Sequence, residues 1–152
     1  MTGKRLLFVT SGLARGGAEG FLARLASRLA ARGHVCAVAS LGRDEPLAAS
    51  IAARGIEVME SGRGVVRPAW RLARFARAFA PDAVQGWMYR GNLAASWAAR
   101  ACVRRPALVW SVRQGLGDLE NSPALTRMVI GWNARWSNGP SAIVYNAYDA
   151  AR

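Results

Sequence analysis

Short apolar runs alternate along this chain with longer stretches in which apolar residues recur every three or four positions. The runs Leu6–Thr10, Val35–Ser40, Ile56–Met59, Ala83–Gln85, Ala107–Ser111 and Ala142–Tyr145 predict buried strands. Between them, Ala18–Arg32, Glu45–Arg54, Ala69–Phe79, Gly91–Val103 and Leu125–Ser137 carry the helical period. In the first helix Leu22, Leu25 and Leu29 share one face, with Arg24, Arg28 and Arg32 on a flank. Gly33 and Gly55 stand where glycine is favoured just past a helix end.

Strands and helices alternating through short connections predict one α/β domain over residues 1–152. The expected architecture is Rossmann-like, a doubly wound parallel sheet of about six strands with helices on both faces. Right-handed crossovers then place ligands at the carboxyl ends of the strands. The glycine-rich and polar-aromatic clusters of the chain all fall at such ends, and there is no internal repeat or low-complexity segment.

The strongest cluster follows the first strand. Gly12-Leu13-Ala14-Arg15-Gly16-Gly17 leads into a helix that carries Glu19 near its start. Glycines let a ligand approach the backbone, and the unpaired N–H groups and dipole of a helix N-terminus favour an anion. The spacing is neither the dinucleotide fingerprint nor a P-loop, which lacks its Gly-Lys-Ser/Thr here. A nucleotide diphosphate or sugar phosphate fits better than NAD or ATP. An oxidoreductase would also need an acidic residue at the end of the second strand, and Asp44 in Ser40-Leu41-Gly42-Arg43-Asp44 comes too late.

Two more clusters share the same predicted edge. After the fourth strand, Trp87, Tyr89, Arg90 and Asn92 offer aromatic faces for sugar rings and donors for hydroxyls or phosphate. Asn92 also suits a plain helix cap. After the fifth strand, Arg113 and Gln114 would project into the crevice, Arg113 as a bidentate partner for phosphate. The glycine-, asparagine- and proline-containing stretch from Gly115 to Ala124 reads as a loop over the site, and Asn146 ends the sixth strand. No catalytic set is visible: there is no Ser/His/Asp grouping or working pair of carboxylates, and His34 precedes a strand at the opposite edge.

Composition narrows the classes. At 52% hydrophobic and 20% charged residues the chain is globular, not disordered. Cys36 and Cys102 have no CxxC partner and His34 is the sole histidine, so neither a structural zinc site nor a disulfide framework is expected. That usage fits a reduced cytoplasmic compartment. The apolar run after Met1–Arg5 is too short for a signal-peptide core, and arginines interrupt every segment before a membrane span is reached. A soluble or peripheral protein is expected.

The net charge of +12 points to anionic partners, although abundant Ala, Gly and Arg also suit a GC-rich coding bias. Charge concentrates on the third helix, where Arg67, Arg71, Arg74 and Arg77 oppose the apolar face, with Trp70 at the margin. This is either a solvated face or a contact for an anionic membrane, where each arginine contributes about 1 kcal/mol. Nucleic acid is not expected, because no helix-turn-helix, zinc or RNA-sheet pattern accompanies the charge.

Four blocks in order, Gly16-Gly17-Ala18-Glu19, Trp87-Met88-Tyr89-Arg90-Gly91-Asn92-Leu93, Ser111-Val112-Arg113-Gln114 and Ile143-Val144-Tyr145-Asn146, resemble the retaining glycosyltransferases of family 4. These group 1 enzymes have the GT-B fold, two Rossmann-like domains facing each other across a cleft. The resemblance spans the whole chain and matches the N-terminal, acceptor-side half, with the C-terminal donor domain absent. It implies transfer of a sugar from a nucleotide-diphosphate sugar, a co-substrate and not a resident cofactor, to a polysaccharide or lipid-linked acceptor. It also implies that Gly16 and Gly17 lie beside the diphosphate, and that Trp87–Asn92 line the sugar and acceptor pocket. Arg15 or Arg113 would stabilise the departing diphosphate, and Tyr145-Asn146 would mark the end of the domain. Where family members often carry a histidine after the fourth strand, this chain has Trp87 and Arg90. The isolated domain is expected to be inactive without its donor half, and no metal is expected. The alternative reading is a non-catalytic Rossmann-like module recruited by a partner protein or an anionic membrane.

Overall fold

A computed structural model of the chain describes residues 3–62, 66–112 and 124–145. The elements run β1 (Arg5–Thr10), α1 (Gly17–Ala31), β2 (Val35–Ser40), α2 (Ala48–Ala52), β3 (Glu57–Glu60), α3 (Val66–Phe79), β4 (Ala83–Trp87), α4 (Met88–Ala101), β5 (Ala107–Val112), α5 (Ala124–Arg135) and β6 (Ala142–Tyr145). All six strands pair in parallel, in the order β3-β2-β1-β4-β5-β6. The expected doubly wound sheet is therefore present, and its order reverses between β1 and β4.

The two-residue period of β1 sends its side chains into two separate cores. Leu7 and Val9 join Leu72, Ala76 and Phe79 of α3 and Ala95 and Ala98 of α4 on one face. Phe8 joins Leu22 and Ala26 of α1, Ile51 of α2 and Trp87 on the other. Small residues Ala37 and Ala39 on β2 leave room for the helices to sit close to the sheet. Helices thus cover both faces, as a parallel sheet requires.

Three helix boundaries differ from the periodic pattern, each for a local reason. α2 shrinks to Ala48–Ala52 because Glu45 is engaged elsewhere and Pro46 has no N–H to give a helix. α3 starts earlier, at Val66, with Pro68 in the first turn, where a missing N–H costs nothing. α4 starts at Met88, directly after β4. That abrupt turn holds Met88 at φ 64°, in the left-handed region where a side chain costs about 1–3 kcal/mol.

Two glycines allow this junction. A Cβ on Gly86 would stand 2.5 Å from Asn92 Cα, and one on Gly91 would stand 2.6 Å from the Val9 carbonyl oxygen. Helix α4 therefore lies backbone to backbone against β4 and β1, at the point where the sheet order reverses.

Candidate functional site

The reversal between β1 and β4 sends the following helices to opposite faces, α1 to one and α4 to the other. A crevice opens between two such loops at the carboxyl edge. On the β1 side, Gly16 is the N-cap of α1, extended at φ −135° and ψ 168°, with no side chain capping it. Arg15, Gly16 and Gly17 are exposed, and nothing lies within 4 Å of where a Gly17 Cβ would be. The backbone at Gly17 is thus uncrowded. Glu19 bends back until its carboxylate lies against Gly16, which puts a negative group at the positive end of α1.

The turn before it is held from outside. Glu45 Oε2 accepts the Leu13 N–H at 2.8 Å, the Leu47 N–H donates to the Leu13 carbonyl at 3.1 Å, and the Glu45 N–H donates to Glu60 Oε1 at 2.8 Å. Thr10 Oγ1 donates to the Gly12 carbonyl at 3.0 Å. These bonds tie the ends of β1, β2 and β3 into one edge.

On the β4 side, the expectation for Trp87 and Asn92 needs correction. Trp87 is fully buried, donates its indole N–H to the Ala18 carbonyl at 3.1 Å and stacks on Phe21 with ring centroids 6.0 Å apart. It belongs to the core between the sheet and α1 and presents no face to a sugar. Asn92 is also fully buried, with Oδ1 accepting the Ser111 N–H at 3.2 Å and Nδ2 donating to the Ser111 carbonyl at 3.4 Å. Its amide is spent on fastening α4 to β5, neither capping the helix through its side chain nor facing a ligand.

Tyr89 and Arg90 remain at the rim. Arg90 is exposed. Tyr89 is half-buried, and burial, with the nearby Tyr145 hydroxyl adding to it, pushes its phenol above the usual range. Its carbonyl accepts a hydrogen bond from Asn133 Nδ2 at 3.1 Å, which docks α5 onto the start of α4. Arg113, Gln114 and Asn146 lie outside the described residues. His34 sits at the amino edge, its Nδ1 accepting the Lys4 N–H at 3.1 Å. Among the described residues no three His, Cys, Asp or Glu side chains are grouped to hold a metal.

Residues 15–152 match the profile of Glycosyltransferase Family 4, so the match begins within the glycine turn, at Arg15, and runs on through the residues at the ends of β4 and β5. The chain belongs to glycosyltransferase family 4. Structural comparison agrees on the fold. The Anabaena protein HepE, solved in complex with UDP-glucose, superposes with a TM-score of 0.74 at 16% identity, over 97% of this chain and 38% of its own. A glycosyltransferase from Rickettsia africae ESF-5 superposes at 0.55 with 13% identity, over 95% of this chain and 42% of its own. A short-chain dehydrogenase/reductase from Burkholderia vietnamiensis reaches 0.58 at 16% identity, so likeness at this level marks the Rossmann-like fold and no more. No curated protein sequence matches the chain. The family 4 chain spans about two-fifths of the length of HepE and of the Rickettsia enzyme.

The arginine helix also sorts differently from its sequence pattern. Arg67, Arg71 and Arg74, with Trp70, line a cavity of 980 Å³ between α3 and the end of β3. Arg77 does not join them: its Nε donates to the Ala101 carbonyl at 2.6 Å, toward α4. At about 100° per residue, positions 67, 71 and 74 fall within some 60° of one another, and position 77 lies beyond that arc. Glu45, Ser61, Gly86 and Gly91, which periodicity alone did not single out, shape the carboxyl edge of this family 4 domain. The one available signal was chemical, a glutamate beside a proline where a helix was expected to begin.

Proposed function

We propose that this chain is the acceptor-side Rossmann-like half of a glycosyltransferase. The whole enzyme would move a sugar from a nucleotide-diphosphate sugar to a polysaccharide or lipid-linked acceptor, retaining the anomeric configuration. The observation that carries the reading is the family 4 match, which begins at Arg15 beside the N-terminus of α1. The UDP-glucose complex of HepE supports a nucleotide sugar as the donor. Gly16 and Gly17 would approach the diphosphate, while Arg15 supplies charge as the leaving group departs. Arg113 and Gln114 would act from the end of β5, and Tyr89 and Arg90 would form the acceptor rim. Asn146 would close the domain, and the donor's nucleoside would be held by a C-terminal domain.

The proposed setting is the cytoplasmic side of a membrane. Among the described residues no helix is long and apolar enough to cross one.

Amide NMR titration of the chain with UDP-, GDP- and ADP-sugars tests the reading. Shifts centred on Arg15, Gly16 and Gly17 are expected. No shift with any of the three, or shifts at the amino edge near His34, would overturn it. Robust transfer by the 152 residues alone would overturn the assignment as half of a site. Retention is read separately, from the anomeric proton coupling of the product.

A further inference from the structure

The cavity beside α3 is built for an anion, although it lies away from the β1–β4 reversal. It is lined by Arg43, Arg67, Arg71 and Arg74 against the carboxylates of Asp44 and Glu60. Both carboxylates are already engaged: Asp44 pairs with Arg43 at 3.2 Å, and Glu60 accepts the Glu45 N–H. No carboxylate of the described residues pairs with Arg67, Arg71 or Arg74. Arg71 uses one N–H on the Ser61 carbonyl at 3.2 Å, and Arg74 lies over the Trp70 ring at 5.1 Å, which leaves most of their donors for a ligand. Ser61 lines the same cavity, is 2% exposed, and its Oγ has no hydrogen-bond partner. A buried hydroxyl without a partner is disfavoured, and a phosphate oxygen can accept from it. Clustered guanidinium groups prefer the bidentate oxygens of phosphate.

We propose that this cavity is a phosphate-binding subsite, holding a phosphate or pyrophosphate group between Arg67, Arg71 and the Ser61 hydroxyl. Trp70, 61% exposed at the mouth, would flank whatever the phosphate carries. Assigning that group to the acceptor, as the phosphate of a lipid-linked sugar, rests on the glycosyl-transfer reading; the binding itself does not.

Titration calorimetry of the chain with inorganic pyrophosphate tests it, alongside sedimentation with vesicles of phosphatidylglycerol in phosphatidylcholine. The variants are Arg67→Gln, Arg71→Gln and Ser61→Ala, with Arg77→Gln as an equal loss of charge on the same helix outside the cavity. One pyrophosphate per chain is expected, weakened about tenfold by R67Q or R71Q, about threefold by S61A, and little by R77Q. If pyrophosphate does not bind but vesicles do, with R67Q and R71Q releasing them and R77Q not, the phosphate is a membrane headgroup and the subsite stands. Equal weakening by R77Q and R71Q would mean diffuse attraction and would overturn the subsite, as would failure of both probes. Circular dichroism of each variant separates lost binding from lost folding. None of these readouts involves sugar transfer, so failure here and failure of the glycosyltransferase reading are distinguishable.

Discussion

Asn92 and Ser111 exchange two hydrogen bonds across the boundary between α4 and β5, one through each end of the asparagine amide. The side chain imitates a peptide group, giving the Ser111 N–H and carbonyl the partners they need in a dry place. Aspartate at this position keeps the acceptor but loses the donor and sets a charge against a carbonyl. Asn92→Asp is expected to lower stability by about 1–3 kcal/mol, read as a shifted urea midpoint. Ser111→Ala leaves both bonds intact, costs only the Gln85 Nε2 contact at 2.7 Å, and is expected to lower stability less.

Glu45 is the strut of the glycine turn. Glu45→Ala leaves the Leu13 N–H without its acceptor, so amide hydrogen exchange at Leu13 is expected to speed up about tenfold. Exchange in the middle of β1, at Leu7 and Phe8, should stay as in the parent chain. Equal acceleration at both places would refute a local role.

Gly91→Ala forces a methyl against the Val9 carbonyl, and backbone cannot yield as a flexible side chain can. A loss of about 1–3 kcal/mol is expected in thermal or urea unfolding. Gly17→Ala, where a Cβ meets nothing, is the control and is expected to be tolerated by the fold.

The two thiols report on packing. Burial pushes Cys36 up, and it pushes Cys102 up too, partly opposed by the charge of Arg77. The folded chain therefore favours both thiols protonated. That preference is fully present below the unfolded thiol range of about 8.5 and is lost as pH rises through the raised folded values. Stability is expected to fall above about pH 9, and an aromatic disulfide reagent at pH 8 is expected to label neither cysteine until urea is added.

The parallel, doubly wound sheet was legible because strands buried on both faces read as unbroken apolar runs, as Leu7–Val9 and Cys36–Ala39 do, whereas the order of the strands was not. The carboxyl edge was legible because its glycines and polar residues interrupt that pattern. Trp87 and Asn92 were not, since a tryptophan buried beneath a helix and one that lines a crevice occupy the same sequence position. Only the placement of Ala18 and Ser111, distant in the chain, distinguishes the two. Ser61 escaped notice for a similar reason: a lone serine after a strand carries no periodic signal, and its importance comes from three arginines on a different element.

The contact between Gly91 and β1 has a bearing on how this domain could change its ligand. With α4 seated directly on the Val9 carbonyl, the main chain at the reversal cannot be remodelled without displacing the helix. Redesign in the laboratory must then work through interchangeable fittings on a fixed bench: Arg15, Tyr89 and Arg90 around the reversal, and Arg67 and Arg71 at the cavity by the end of β3. Libraries confined to those five positions are expected to leave the stability of the sheet intact, read as an unchanged urea midpoint.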